Sequence, residues 1–534
     1  MRLLTLFTQI RALKGWVHLW LALACLLASG CDPAAMQGEL GPADKRSSAQ
    51  PGCCSHFENA LHAAFPDLSR NLSVEDKIAW VARERPEKMS AMRQWAIEEL
   101  EGHRPSSAEQ AQRYDLILIG GGPFAAILNC NVGGGGCSRR PRTLVISESL
   151  GGPFSAFGST FYLNTREREG APEESETLLP GCPVQLYPFV TPRGGEPQNA
   201  MSGIFEGTQY WYPEGEVLGD ATLFNHMLMG SDVLLGSTVP NAALRRVTID
   251  GEPWFEITMP QGTFRAPRVV IASGHGKPYV PATLASWVES ERSKALPRVE
   301  VLDDFLTRAS REAARGNNML ALYRGKRMAV AGGSDGASIA IEFLLGSAPP
   351  AAYAASAPGE VGPLLPILQY GQKHGTKERF LEELRELRKQ VRYRAVAEAL
   401  EKGDLLARHE QAVALRLDET GSLEVGYGSQ SAVDGWDAID HLILSTGYDP
   451  AAGYALFASE RCPEGASYRS WSGDTLAGQG ADDPLAQVAW CGDEALEGLY
   501  LFIPRGLVEK ANQANIRTLG NRAAGLGQHL GVHR

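Results

Sequence analysis

Two glycine-rich hexapeptides carry the clearest chemistry in this sequence. The first reads Gly-Gly-Gly-Pro-Phe-Ala at 120–125, and the second reads Gly-Gly-Ser-Asp-Gly-Ala at 332–337. In the pattern G-x-G-x-x-G/A, the first glycine permits a tight turn and the second lets the backbone approach a pyrophosphate. The last small residue lets a helix pack closely on a strand. Because the N-terminus of that helix offers free N–H groups to phosphate oxygens, we predict two dinucleotide-binding loops.

The segments around the first loop support this prediction. Gly120, Gly122 and Ala125 hold the three key positions, directly after the apolar run 114–119. A continuous apolar run is typical of a strand buried on both faces of a parallel sheet. The next apolar run, 143–147, ends at Glu148, where a carboxylate accepts hydrogen bonds from an adenosine ribose. This order favours a bound dinucleotide over an unliganded turn.

The second loop departs from the pattern at one position. Gly332, Gly333, Ser334 and Ala337 are its candidate binding residues, and the strand-like run 326–331 precedes them. Ser334 stands where a glycine would come closest to the phosphates, so a purely structural loop is the alternative.

The sequence after the second loop bears on the choice of nucleotide. The strand expected at 351–356 ends without Asp or Glu, which favours NADP(H) over NAD(H). Basic residues farther on are either partners for a 2′-phosphate or plain solvated charges. They are Lys373, His374, Lys377 and Arg379.

Each glycine loop is followed later in the chain by a similar closing segment, in which an apolar run ends in two small residues and a glycine. The apolar run 268–271 leads into Ala-Ser-Gly ending at Gly274, and the run 440–444 leads into Ser-Thr-Gly ending at Gly447. Small residues at such points let the chain pass close to another backbone or to a cofactor. The same order of segments occurs twice, which predicts an α/β fold with two Rossmann-like domains.

With two such loops and closing segments, the chain resembles the flavoproteins that bind two dinucleotides. The similarity is to the class B flavin monooxygenases, which include the lysine and ornithine N-hydroxylases, and it extends over 113–526. In those N-hydroxylases an A-T-G-Y element closes the nucleotide region, and Ser-Thr-Gly-Tyr at 445–448 matches it with one conservative change. The fingerprint F-x-G-x-x-x-H of the monooxygenases is missing from 285–321, which contains no histidine. That departure weakens the expectation of oxygenation and leaves the flavin expectation intact.

The resemblance implies that the two loops bind different cofactors. The first would bind FAD and the second NADPH, in an FAD domain split by an inserted NAD(P) domain. Gly152 would lie along the flavin ring, although an ordinary turn explains it equally well. Gly506 and Leu507 would begin a C-terminal helix whose positive end faces the flavin. The aromatic stretch 157–212 would form a substrate-facing lobe or plain core, and no catalytic side chain is predicted.

The N-terminus resembles a lipoprotein signal. Basic residues precede an apolar stretch at 16–28, and Ala-Ser-Gly is followed by Cys31, which would be lipidated and attach the chain to a membrane. The alternatives are an uncleaved anchor or a true start at Met36. No twin-arginine pair accompanies the signal, and NADPH is a cytoplasmic cofactor, so the two expectations conflict.

Composition excludes some classes of protein. The net charge of −11 argues against nucleic-acid binding, because phosphate contacts need a basic surface. The nine cysteines form no C-x-x-C pair, so neither a zinc ribbon nor a thioredoxin-like motif is present. Isolated thiols are expected, with pairing of Cys130 and Cys137 as the alternative in an exported chain.

These observations predict a domain order. The segments are a signal-like segment at 1–31, a linker and helical extension at 32–112, a first part of the FAD domain at 113–317, an NAD(P) domain at 318–404, and a second part of the FAD domain at 405–534.

The function expected from this organisation is an FAD-dependent oxidoreductase that uses NAD(P)H. Hydride transfer to the flavin would be followed, in a monooxygenase, by O2 activation on a small-molecule substrate. The alternatives are a non-oxygenating flavin reductase or dehydrogenase, and a non-catalytic, lipid-anchored dinucleotide-binding redox module. The sequence determines neither the substrate nor the oligomeric state.

Overall fold

The computed structural model describes most of the chain between residues 61 and 532. The described residues are 61–62, 65–66, 77–78, 80–82, 88–102, 105, 111–132, 140–161, 163, 167–168, 178–186, 200–205, 208–348, 365–371, 394–429, 432–449, 455–457, 462, 466–471, 485–502 and 516–532. The signal-like segment 1–31, with Cys31, lies outside them. Among the described helices, none is both long and apolar enough to cross a lipid bilayer.

The secondary structure alternates between strands and helices. The helices are α1 Met89–Gly102, α2 Pro123–Asn131, α3 Pro153–Phe157, α4 Gly215–Leu228, α5 Ala282–Glu291, α6 Leu302–Ala314, α7 Asp335–Leu344, α8 Arg394–Lys402 and α9 Ile516–Val532. The strands are β1 Gln112–Arg113, β2 Leu116–Ile119, β3 Thr143–Ser147, β4 Glu167–Arg168, β5 Ala200–Phe205, β6 Thr208–Pro213, β7 Asp232–Leu235, β8 Leu244–Ile249, β9 Glu252–Met259, β10 Gly262–Ala266, β11 Val269–Ile271, β12 Lys277–Pro278, β13 Val299–Val301, β14 Met328–Ala331, β15 Ile367–Tyr370, β16 Leu405–Ala407, β17 Gln411–Leu417, β18 Leu423–Ser429, β19 Ala432–Ile439, β20 His441–Leu444, β21 Tyr448–Asp449, β22 Ser467–Trp471, β23 Ala486–Cys491 and β24 Glu494–Leu501.

The first large sheet is centred on the strand that precedes the first glycine loop. In the described part of the chain its order is β22-β23-β24-β11-β2-β3-β7, and the strands from β24 to β7 run parallel. Leu116 and Leu118 of β2 pack into one core and Ile117 and Ile119 into another. The continuous apolar run predicted this arrangement, because a strand covered on both faces must be apolar on both.

The second large sheet repeats this plan around the second loop. Its order is β13-β20-β14-β15-β16, and the paired strands run parallel. Met328 and Val330 face one core, whereas Ala329 and Ala331 face the other. In both sheets the strand before the glycine loop lies between the next strand along the chain and the closing strand, as in a Rossmann fold. The predicted α/β fold with two such domains is confirmed.

The sheet of the second domain includes strands beyond both ends of the segment predicted for that domain. Its sheet includes β13 and β20, which lie on either side of the predicted segment 318–404. β13 has only three residues with Glu300 at its centre, so it showed no apolar run; Arg308 of α6 pairs with that buried carboxylate. β20 pairs with the strand of its own glycine loop, and therefore does not return to the first sheet.

The strand beside β14 also differs from the prediction. β15, at Ile367–Tyr370, pairs with β14, whereas the sequence suggested residues 351–356, which lie outside the described residues. β15 is followed by Gly371, so the new position again lacks an acid directly after the strand.

The helical extension before the first strand belongs to the first domain. Met92, Ala96 and Leu100 of α1 lie in the same apolar core as the strands. Arg93 donates to both carboxylate oxygens of Asp220 on α4, at 2.5 and 3.0 Å. Burial raises the pKa of Asp220 to about 6, although the Arg93 guanidinium acts in the opposite direction. The extension is therefore a cap that shares the core, not a loose spacer.

Within the described part of the chain four cysteines are paired, which corrects the expectation of isolated thiols. Cys130, on the helix after the first loop, is bonded to Cys182, and Cys462 is bonded to Cys491 of β23. The suggested partner Cys137 lies outside the described residues. Sequence spacing does not reveal such pairs, because folding brings together residues that are 52 and 29 positions apart.

We expect the Cys130–Cys182 bond to stabilise the first domain. Closing a loop of 52 residues restricts the unfolded chain, so the double variant Cys130→Ser/Cys182→Ser should lose about 2–4 kcal/mol of unfolding free energy. Thermal unfolding of oxidised protein measures the loss, and Cys462→Ser/Cys491→Ser, with its shorter loop, is the matched comparison. Wild-type protein whose unfolding midpoint does not respond to reductant would contradict this expectation.

Candidate functional site

The two glycine loops open into one cleft. It has a volume of about 710 Å³ and lies at the carboxyl ends of the parallel strands of both sheets. Residues 120–124 line it from the first domain, and residues 334–336 line it from the second. In open α/β sheets, ligands bind outside the carboxyl ends of the strands, where the strand order reverses. The cleft therefore lies where both loops predicted a ligand.

The first loop is held by backbone contacts that require glycine. Gly120 has a φ of +118°, and a Cβ atom there would lie 2.2 Å from the carbonyl oxygen of Ala272. The N–H of Gly120 donates to Ile146 of β3, and the N–H of Ala272 donates to Ile119, both at 2.8 Å. Gly120 is therefore fixed by the close approach of the closing strand.

The next glycine leaves room for a ligand. A Cβ atom on Gly122 would meet no protein atom within 4 Å, and one on Gly152 would lie 3.8 Å from the Cα of Gly122. Both glycines line the cleft, and so does the exposed Glu148 at the end of β3. Gly122 is also the N-cap residue of α2, and it has no side chain to cap the N-terminal amides of that helix. This cradle fits the diphosphate and ribose of a dinucleotide.

The last key residue of the first loop acts from behind the cleft. Ala125 is fully buried, in the core that contains Leu116 and Leu118. Ala337 is the equivalent residue of α7, and it is fully buried as well. Small side chains at both positions let the helix lie close to its sheet, as the pattern predicted.

The second loop has the same backbone geometry as the first. Gly332 has a φ of +143°, and a Cβ atom there would lie 2.1 Å from the carbonyl oxygen of Ser445. Its N–H donates to Tyr370 of β15 at 2.9 Å, and the N–H of Ser445 donates to Ala331 at 2.7 Å. Gly333 is half-buried beside it. The predicted repeat of loop and close thus extends to individual hydrogen bonds.

Ser334 and Asp335 distinguish the second loop from the first. Ser334 is the N-cap of α7 in an extended conformation, and its side chain makes no capping hydrogen bond. Both residues are exposed and line the cleft. The helix still presents its N-terminus to the cleft, so the loop can hold a phosphate, with less room than the cradle at Gly122.

The two closing segments, Ala-Ser-Gly ending at Gly274 and Ser-Thr-Gly ending at Gly447, connect the domains. Gly274 and Gly447 have φ values of +75° and +91°, and a Cβ atom on either would meet no protein atom within 4 Å. Both line the cleft. Just beyond them lie the two crossings of the chain between the domains. β12 is on the first crossing, which leads from the first domain to the second, and β21 is on the second crossing, which leads back. β12 pairs antiparallel with β21, so the two crossings are joined by hydrogen bonds.

Some predicted site residues lie outside the described residues. They are Gly506 and Leu507, before α9, and the basic residues Lys373, His374, Lys377 and Arg379 after β15.

Aromatic side chains form one wall of the cleft. Phe154 and Phe157 of α3 and the following Phe161 have ring centroids 5.4 to 6.5 Å apart, and all three line the cleft. Such a wall suits a flat aromatic ring system. The sequence pointed to this region as an aromatic lobe. The side chains of β6, farther along that stretch, lie outside the described set.

A polar group in the cleft was missed by the sequence reasoning. Tyr448 donates its hydroxyl hydrogen to Oδ1 of Asp303, the second residue of α6, at 2.8 Å. The His275 ring lies 5.5 Å from the Tyr448 ring, and all three residues line the cleft. His275 and Tyr448 directly follow the two Ala-Ser-Gly and Ser-Thr-Gly segments, which was the available signal for them, whereas no sequence signal pointed to Asp303. Their meeting depends on tertiary structure.

The protonation of this group is set by its surroundings. Burial raises the pKa of Asp303 to about 6; the hydrogen bond from Tyr448 lowers it, and the neighbouring Asp304 carboxylate raises it. Burial also raises the pKa of the Tyr448 hydroxyl. His275 is exposed to water in the cleft, yet the protein packed around its ring lowers its pKa. No cluster of His, Cys, Asp and Glu suited to a metal ion occurs in the described part of the chain.

Comparison with known proteins gives structural neighbours only. No protein-family model matches the chain, and no curated protein matches it. Several solved structures are similar to it, with low sequence identity.

Three of these neighbours span most of the chain. The ornithine N-hydroxylase of Kutzneria sp. 744, solved with reduced FAD, NADP+ and L-ornithine, is 13% identical over 78% of this chain and 99% of its own, with a TM-score of 0.45. The lysine monooxygenase of Nocardia farcinica is 16% identical over 77% and 99%, with a TM-score of 0.41. The bacillithiol disulfide reductase of Staphylococcus aureus is 14% identical over 78% and 98%, with a TM-score of 0.40. The neighbours thus include monooxygenases and a disulfide reductase, and at these identities the similarity concerns the fold.

Two substitutions in the first loop should affect different properties, one the stability of the fold and the other the affinity for a dinucleotide. Gly120→Ala places a methyl group against the Ala272 carbonyl at a φ that L-residues rarely adopt, so it should cost about 1–3 kcal/mol of stability. Gly122→Ala places its methyl group in the open cradle, so it should leave the unfolding midpoint unchanged and weaken dinucleotide binding about tenfold, or ~1.4 kcal/mol. Thermal unfolding and a binding titration measure the two effects. A Gly120→Ala protein as stable as wild type, or a Gly122→Ala protein with unchanged affinity, would contradict this geometry.

Proposed function

We propose that the chain is an FAD-dependent oxidoreductase that uses NAD(P)H to reduce the flavin. The observation that carries the proposal is the single cleft between two glycine loops of matching backbone geometry. Each loop presents a helix N-terminus to the same space, so two dinucleotides can meet there. Bound in that cleft, a flavin and a reduced nicotinamide would supply hydride transfer, for which the protein provides binding and orientation.

The differences between the two loops support FAD at the first and the nicotinamide dinucleotide at the second. FAD belongs at the first loop, where Gly122 and Gly152 leave the cradle open and Glu148 faces the cleft to bind the ribose. The aromatic wall of Phe154, Phe157 and Phe161 would cover the ring system and exclude water.

The nicotinamide dinucleotide belongs at the second loop. The N-terminus of α7 would receive its diphosphate beside Ser334. NADP(H) is favoured over NAD(H), because β15 ends at Tyr370-Gly371 without an acid to bind a free ribose hydroxyl.

Two outcomes are open to the reduced flavin. A monooxygenase would activate O2 and oxygenate a small-molecule substrate, as the Ser-Thr-Gly-Tyr element at 445–448 suggests. A reductase or dehydrogenase without oxygenation is the second candidate. It is favoured by the sequence of 285–321, which forms α5, β13 and α6 and holds no F-x-G-x-x-x-H pattern.

A spectroscopic experiment tests the proposal. Purified protein should show the visible absorption of bound flavin, and NADPH should bleach it faster than NADH. Gly122→Leu, whose Cβ atom would lie in open space at the cradle, should be folded and colourless. In air, a slowly decaying oxygenated intermediate supports the monooxygenase, whereas prompt hydrogen peroxide release supports the reductase. A wild-type chain that binds no FAD would overturn the enzyme proposal and favour a non-catalytic module.

We also propose that the chain functions in an oxidising compartment, attached to a membrane through lipidated Cys31. One support is the pair of disulfides among the described residues, since such bonds persist outside the reducing cytoplasm. The other is the signal-like sequence that ends at Cys31. The mature protein in native membranes should begin at a lipid-bearing Cys31, and Cys31→Ser should remain unprocessed. A chain that begins at Met36 with Cys130 as a free thiol would contradict this.

A further inference from the structure

One carboxylate in the cleft has no part in holding either cofactor as assigned above. Asp303 lies at the start of α6, immediately after β13, and its Oδ1 accepts the hydrogen bond from Tyr448 at 2.8 Å. Tyr448 begins β21, on the second crossing between domains, and the His275 ring from the first crossing lies beside it. Three chain segments thus meet at one point of the cleft and fix the orientation of one acid.

The charges around Asp303 come from every element near it. Asp304 follows it on α6, Tyr448 and Asp449 are on the second crossing, and His275 and Lys277 are on the first. Asp335, at the start of α7, also lines the cleft.

These surroundings bring the proton affinity of Asp303 close to neutral pH. Burial raises the pKa of this half-buried side chain to about 6; the Tyr448 hydrogen bond opposes the rise and the Asp304 carboxylate adds to it. The other described carboxylates that line the cleft, Glu148 and Asp335, are exposed. Proton transfer at neutral pH is most efficient for a group whose pKa lies near the working pH.

We propose that Asp303 is the acid–base residue of the cleft, held in place by Tyr448 as a positioning residue. In its protonated form, Asp303 delivers the proton that is consumed when NAD(P)H reduces the flavin. The inference rests on the proposed function. The overall change is NAD(P)H + H+ + FAD → NAD(P)+ + FADH2. The hydride would leave the nicotinamide C–H bond and form a bond to the flavin, and the proton of the Asp303 O–H group would pass to a nitrogen of the flavin ring. A proton taken up from solvent would then restore the Asp303 carboxyl group.

The pH profile of flavin reduction tests this assignment with three variants. In wild type the rate should fall as pH rises through about 6, because the protonated acid is the active form. Asp303→Asn should be slower by about a hundredfold and lose that fall. Tyr448→Phe removes a hydrogen bond that stabilises the carboxylate, so the fall should move to higher pH. Asp304→Asn removes a like charge on the exposed side of α6, so the fall should move to lower pH with the maximal rate preserved.

A second measurement does not depend on activity. Asp220 also has a pKa raised to about 6, so the infrared titrations of cofactor-free wild type and Asp303→Asn are compared as a difference. The difference should show a protonated carboxyl band that belongs to Asp303 and disappears as pH rises through about 6. The band should move to higher pH in Tyr448→Phe and to lower pH in Asp304→Asn. Thermal unfolding of each variant confirms that it is folded.

The outcomes separate this inference from the function on which it rests. If Asp303→Asn keeps the wild-type rate and pH profile, or if Tyr448→Phe and Asp304→Asn shift it in the same direction, the assignment of Asp303 is overturned while the oxidoreductase stands. A chain that takes up no flavin overturns both.

Discussion

The close approach of each glycine loop to its closing strand is the constraint on which this structure depends. A Cβ atom at Gly120 would lie about 2 Å from the Ala272 carbonyl oxygen, and one at Gly332 would lie equally close to the Ser445 carbonyl oxygen, too near for either to be accommodated. The hydrogen bonds from Ala272 to Ile119 and from Ser445 to Ala331 join the same strands at that point. Beyond it the strands part. The following helices therefore begin at the carboxyl edge of each sheet, and the space above that edge is the cleft.

The two domains share this cleft because they are joined by apolar packing as well as by the chain. Phe157 of the first domain is buried in the core of the second, among residues of α6. The Thr160 hydroxyl donates to the Leu306 carbonyl at 3.1 Å, and Tyr279 donates its N–H to the Gly447 carbonyl at 2.8 Å. These contacts bring α6, and therefore Asp303, up to the first glycine loop. The polar group of the cleft depends on this contact between domains.

An element could be predicted when its signal lay within a short stretch of the sequence, and was missed when it depended on contacts with distant residues. β2, β3 and β14 were predicted because a strand covered on both faces must be apolar throughout. β13 was missed because its three residues centre on Glu300, whose charge is balanced by Arg308 from the next helix. The sheet also extends beyond the predicted domain limits, because the membership of β13 and β20 is decided by pairing between segments that are distant in the chain.

The sequence by itself determined the two loops, their closes and the alternation of strand and helix, because the turn, the cradle and the buried strand each require particular residue types locally. The tight turns at Gly120 and Gly332 could be predicted from spacing alone, and both residues have the positive φ that such turns require. Tertiary structure decided which cysteines pair, where the second domain begins and ends, and how His275, Asp303 and Tyr448 come together. No local pattern encodes these contacts, because each joins segments far apart in the chain that meet only once the sheets have formed.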